Sequence, residues 1–124
     1  MPSNLTLAAL APAAVKAMIE DGSELALIDV REELTFSQNH LLWARNVPLS
    51  RIELRFARLI PRKDTRIVLC DDDDGLVARA AAVLSRAGYS DIATLDGGVP
   101  GWEKAGLVTF SGVHVPSKAF GEFV

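Results

Sequence analysis

The sequence predicts an α/β protein: a central, mostly parallel sheet with helices on both faces. Three observations predict it. The apolar runs Leu25-Ala26-Leu27-Ile28-Asp29-Val30 and Ile67-Val68-Leu69-Cys70 read as short strands buried on both faces. Stretches with helical periodicity alternate with such strands, the pattern of a parallel sheet with crossover helices. Polar or glycine-rich turns follow the strands, at 29–33, 71–75 and 96–98. In an open parallel sheet these turns lie at the carboxyl ends of the strands, where sites form. With right-handed connections the three should gather on one rim.

Each element has its own warrant. Residues 1–6 read as loose. Pro12 opens a helical pattern with Val15, Met18 and Ile19 on one face, stopped at Asp21-Gly22-Ser23. The first strand, 25–30, ends in Arg31-Glu32-Glu33, and 34–39 form a short helical turn. A short strand at 44–47 is closed by Pro48. Ser50 is the expected N-cap of a mixed helix on which Ile52, Leu54, Phe56 and Leu59 follow and which turns Arg51, Arg55 and Arg58 outward. After a turn at 61–64 come the strand ending at Cys70 and an Ala- and Leu-rich helix over 76–87, ended by Gly88. Residues 92–95 form a further strand. Asp96-Gly97-Gly98 turns into a helix over 99–105, stopped by Gly106. The expected domain is 1–107, with 108–124 a C-terminal tail or linker.

Composition narrows the function classes. A chain of 124 residues with 49% hydrophobic and 23% charged residues supports one domain with a real core. A net charge of −3 offers no basic surface for nucleic acid or anionic lipid. No apolar run reaches the ~18 residues that span a bilayer, and no secretory signal pattern opens the chain. The single cysteine excludes an internal disulfide and fits a reducing, cytoplasmic compartment.

The turn after Cys70 carries most of the functional question. Backbone N–H groups and the positive helix end converge in such a turn, which favours an anion. This chain places Asp71, Asp72, Asp73 and Asp74 there, followed by Gly75, Leu76 and Val77. Consecutive carboxylates lack the alternate spacing of a calcium loop, so no metal site is assigned. No cofactor is implied.

The order of motifs resembles the rhodanese-like domain, the sulfurtransferase fold shared with some phosphatases. Leu27-Ile28-Asp29-Val30-Arg31-Glu32 resembles the family's first strand and its Asp-Val-Arg-Glu end. His40 with Ala44-Arg45-Asn46-Val47-Pro48 resembles the Gly-His-Ile-x-Gly-Ala-x-Asn-Ile-Pro segment. Leu95-Asp96-Gly97-Gly98 with Trp102 and Ala105-Gly106 resembles the Leu-x-Gly-Gly-x-x-x-Trp-x-x-Ala-Gly ending. Asn39 stands where the family has Gly, and Leu42-Trp43 replaces small residues. The resemblance implies a cysteine that takes sulfane sulfur as a persulfide at the end of the second long strand. A short loop with Gly and Arg follows it.

Two alignments are open. Anchoring on Ala80-Ala81-Ala82-Val83-Leu84 puts Asp71 at the nucleophile position and Cys70 one place early, inside the strand. Anchoring on Cys70 needs one extra loop residue. The first is preferred. A one-residue shift along a strand turns the thiol to the other face. A thiolate also needs an electropositive setting, and four aspartates supply the reverse. At ~4 Å like charges repel by about 1 kcal/mol in water and several times that near a protein surface.

The expectation is therefore a degenerate active-site loop with a structural, regulatory or binding role, beside neighbouring rhodanese-like domains of the same protein. Cys70 becomes a small core residue. The Asp71 carboxylate takes the place of the bound anion, with Asp72, Asp73 and Asp74 in the first helical turn. The alternative is an active thiosulfate sulfurtransferase using Cys70; a phosphatase-like anion site stands third. Asp29 and Arg31 are expected to pair at the strand end, and His40 to make structural hydrogen bonds. Gly97 and Gly98 complete the rim, Trp43 and Trp102 pack in the core or at its edge, and His114 lies exposed in the tail.

Overall fold

The computed structural model describes residues 7–22 and 24–112. Five parallel strands form one sheet in the order β1-β5-β4-β2-β3. They are β1 Ala8–Leu10, β2 Ala26–Asp29, β3 Arg45–Asn46, β4 Ile67–Cys70 and β5 Ile92–Leu95. β4 is central and fully buried, which is why its sequence is apolar without alternation. The helices are α1 Pro12–Glu20, α2 Glu33–Gln38, α3 Ile52–Leu59, α4 Leu76–Arg86 and α5 Gly98–Lys104.

Alternate strand residues feed two cores. Ile28, Ile67 and Leu69 face α3 and α4, where they meet Ile52, Phe56, Ala80, Ala81 and Leu84. Leu27, Val68 and Cys70 face α1, α2 and α5, where they meet Val15, Phe36, Val99 and Trp102. This alternation decides the direction of the cysteine before any chemistry is considered.

α4 ends as its sequence requires. The Gly88 N–H donates to the Ser85 carbonyl at 3.0 Å and the Tyr89 N–H to the Leu84 carbonyl at 3.1 Å. Gly88 takes φ +104, which only glycine adopts without strain, and Tyr89 packs back into the core.

Several elements differ from expectation. β1 was not anticipated: Ala8-Ala9-Leu10 carries no strand-forming signal of its own and pairs at the sheet edge with β5. The strand expected at 44–47 shortens to Arg45–Asn46. Ser50 does not cap α3. A 3-10 turn, Leu49–Arg51, precedes the helix, Arg51 occupies the cap position, and the Ser50 hydroxyl donates to Glu32 Oε2 at 2.9 Å. Residues 108–112 stay tied to the body of the domain. Phe110 and His40 exchange backbone hydrogen bonds at 2.8 Å, and the Gly112 N–H donates to the Ser37 carbonyl at 2.7 Å. Residues 1–6 and the remainder of the tail, His114 included, lie outside the described residues.

Candidate active-site loop

The carboxyl ends of β2, β4 and β5 stand side by side, so the turns that follow them meet on one rim. Asp29 and Arg31 close β2. Both are buried, and the guanidinium grips the Asp29 carboxylate through Nε at 2.9 Å and Nη2 at 2.7 Å. The Arg31 backbone N–H adds a further bond to Asp29 Oδ1 at 3.0 Å. The other edge of the guanidinium points across the rim. Nη1 donates to Asp72 Oδ1 at 3.0 Å and Nη2 to the Asn39 carbonyl. Burial alone would lower the Arg31 pKa, but hydrogen bonds and charge from Asp29 and Asp72 raise it.

Asp71 begins the β4–α4 loop. Its carboxylate turns into the loop and accepts two backbone N–H groups, from Asp73 at 2.8 Å and from Val77 at 3.1 Å. Val77 lies in the first turn of α4, so Asp71 supplies from a distance the cap that Gly75 lacks. Asp71 is nearly inaccessible to solvent. Burial raises its pKa most; Val77 and Asp73 N–H groups lower it, and the nearby Asp74 carboxyl raises it again.

The expectation for Asp72, Asp73 and Asp74 needs correction. They precede α4 rather than entering its first turn, which contains no acidic residue. The chain must turn sharply to bring the Val77 N–H over Asp71, and it does so with Asp73 at φ +62 and Gly75 at φ +91.

β5 and α5 floor the loop. The Val99 N–H donates to the Asp71 carbonyl at 2.7 Å. Gly98 takes φ +61, and a methyl group there would run into the Asp71 carbonyl oxygen and lie 2.7 Å from the Asp73 nitrogen. The Gly97-Gly98 pair thus serves close backbone approach as well as the turn. Sequence reading named Gly98 as rim; its contact with the loop backbone depends on two distant segments meeting.

The Cys70 side chain turns to the sheet face that carries α1, α2 and α5, beside Asp29, its partner across the sheet. Its thiol is buried among the α1, α2 and α5 side chains. Burial pushes its pKa well above the ordinary thiol value, and Asp29 pushes the same way against a smaller lowering by Arg31. His40 is buried, stacked on Phe36 with ring centroids 4.1 Å apart. Its Nδ1 lies 2.9 Å from the Leu41 carbonyl oxygen and its Nε2 lies 2.8 Å from that of Gly112. Trp102 is buried and donates from Nε1 to the Val108 carbonyl; Trp43 is half-buried.

Asp29, Arg31, Asp71, Asp72 and Gly98 are thus brought into one contact network, and Asn39 joins it through Arg31. Cys70 and His40 are not part of the loop. Among the described residues no group of three or more His, Cys, Asp or Glu side chains is arranged to hold a metal ion. No helix there is long and apolar enough to cross a membrane.

Comparison with known proteins places the fold. A crystal structure of a thiosulfate sulfurtransferase from Pseudomonas aeruginosa superimposes with a TM-score of 0.86 at 50% identity, over 95% of this chain and 22% of that one. The Bacillus subtilis protein YqhL is 38% identical over 76 residues, 61% of this chain and 59% of the relative. A probable adenylyltransferase/sulfurtransferase, MoeZ of Mycobacterium tuberculosis, is 32% identical over 97 residues, 77% of this chain and 24% of the relative. The chain therefore spans less than two thirds of the length of these relatives. The rhodanese-like domain profile matches residues 11–105, and the chain belongs to the rhodanese-like domain family.

Proposed function

We propose that this domain is a degenerate member of the sulfurtransferase family, with a structural, regulatory or binding role in a reducing, cytoplasmic setting. One observation carries the reading: the Asp71 carboxylate accepts the Asp73 and Val77 N–H groups. Those amides and the start of α4 are what a loop of this kind offers to an anion. Here the chain supplies the anion itself. Arg31 holds Asp72, and Gly98 lets the loop sit down on α5. The loop is occupied and electrically unfavourable to a dianion such as thiosulfate. The natural partners on this reading are neighbouring rhodanese-like domains of the same polypeptide, in keeping with the greater length of the relatives.

The alternative is thiosulfate sulfurtransfer by Cys70, and the 50% identity to a thiosulfate sulfurtransferase favours it. The burial and direction of the thiol oppose it. Thiosulfate:cyanide turnover with intact-mass detection separates the two. In an active protein the thiolate takes the outer sulfur of thiosulfate, sulfite leaves, and cyanide removes the sulfur as thiocyanate. The expected result is no turnover and no sulfur adduct on the wild type, with both appearing in Asp71→Cys. Turnover and an adduct on the wild type, both lost in Cys70→Ala, would establish Cys70 as the nucleophile.

A further inference from the structure

The outer face of α3 carries a group of charges that the fold does not use. Ile52 and Phe56 face the core, and both are buried. Arg51, Leu54, Arg55 and Arg58 follow at i, i+3, i+4 and i+7, which places them on one outward stripe about 10 Å long. All four are exposed, and Leu54 is 82% exposed, the most open of the large apolar side chains described. None of the three arginines has an ion-pair partner among the described residues. The domain nevertheless carries more acid than base.

Most of these choices work against the isolated domain; Arg58 alone, in the last turn of α3, is favoured by the helix dipole. Arg51 stands at the helix N-terminus, where the dipole favours an anion. Arg51 with Arg55, and Arg55 with Arg58, are like charges at helical neighbour spacing. Leu54 leaves its apolar surface in water between them. Local choices that conflict with stability, collected on one surface, mark a place where function sets the sequence.

We infer that the α3 stripe is a docking surface for an acidic protein segment bearing an apolar side chain. The charges match: three unpaired guanidinium groups can take carboxylates while Leu54 takes the apolar residue between them. A nucleic acid or an anionic membrane spreads its charge over a wider surface than this short stripe.

The probe is a fluorescein-labelled, glutamate-rich synthetic peptide with one central leucine, titrated by anisotropy at low salt. The wild type should bind it. Arg51→Glu with Arg55→Glu should weaken binding about five- to thirtyfold. Leu54→Gln should weaken it about tenfold. Lys104→Glu, exposed on the opposite side of the sheet, should leave binding unchanged. All substituted residues are exposed, and circular dichroism establishes that each variant is folded. No binding by the wild type would overturn the inference, as would equal losses in Lys104→Glu or unchanged affinity in Leu54→Gln. Binding of a single-stranded oligonucleotide or a phosphatidylserine vesicle as tight as that of the peptide would overturn it too.

Discussion

The ends of β2 and β4 are neighbours in the sheet, and they handle a buried carboxylate in opposite ways. At β2, Asp29 is neutralised by a cation: Arg31 grips it and is itself buried. At β4, Asp71 has no cation of its own and is held by two peptide N–H groups and the start of a helix. The first arrangement is a closed ion pair. The second uses backbone dipoles, the kind of donor that strand-to-helix turns in general offer to anions. The difference locates the functional question at β4, although both ends are rich in charged residues. Burial raises the Asp71 pKa from its ordinary value, and the two amides offset that rise only in part.

The hardest way to break the comparison is at its cation. Arg31→Met leaves Asp29 buried beside an apolar side chain. Removing one partner of a buried pair costs about 3–5 kcal/mol, because the charge left behind is uncompensated. Urea unfolding should show that loss, and Arg31→Lys should recover part of it, since a lysine restores the charge without the two-pronged grip. A loss under about 1 kcal/mol would mean that Asp29 reaches water or takes a proton at little cost.

The floor of the β4 loop comes next. Gly98→Ala puts a methyl group against the Asp71 carbonyl and the Asp73 nitrogen, at a φ of +61 that alanine disfavours. Backbone strain of that kind costs about 1–3 kcal/mol. Hydrogen exchange distinguishes its site: the Val99, Asp73 and Val77 amides should lose protection, while the β2 amides keep theirs. Uniform loss across the sheet would mean that the loop is not a separate unit.

How much of this was legible in the sequence follows the range of the interactions involved. The strand at 67–70, the helix from 76 and the strand at 92–95 announce themselves through local apolar runs, alanine content and Gly88. The Asp29–Arg31 pair lies two residues apart and was expected. β1 escaped notice because its pairing to β5 spans most of the chain. Ser50 misled because a 3-10 turn shifted the helix start and Glu32 claimed its hydroxyl. The aspartates seemed to belong to the first turn of α4, but the positive φ values of Asp73 and Gly75 hold them before it. The hydrogen bond from Arg31 to Asp72 crosses 41 residues, and nothing local encodes it.

Asp71 itself can be tested through pH. Its pKa is raised in the folded protein, chiefly by burial. The contribution of such a group is fully present below the ordinary carboxyl pKa and is lost as pH rises through the raised value. Asp71→Asn cannot titrate. The unfolding free energy of the wild type relative to Asp71→Asn should therefore move in favour of the wild type as pH falls from about 7 to about 4. A difference that stays flat, or moves the other way, would mean that the two amides outweigh burial and that β4 holds its carboxylate as firmly as β2 does.

The smallest effect lies in the link between the two ends. Asp72 is 39% exposed and meets Arg31 at 3.0 Å, so water and salt screen the pair while Arg31 keeps its main partner below. Asp72→Ala should cost about 0.2–1 kcal/mol at low salt, and less at ~0.5 M salt. Its sharper signature is again in exchange: the Asp73 amide should open more readily, and the amides around Asp29 should not. A double-mutant cycle with Arg31→Met gives the coupling directly. Coupling near zero would mean that the ion pair at β2 and the amide-held carboxylate at β4 are independent solutions standing side by side. A measurable coupling makes Arg31 the residue that holds the acidic loop down over the amides Asp71 occupies.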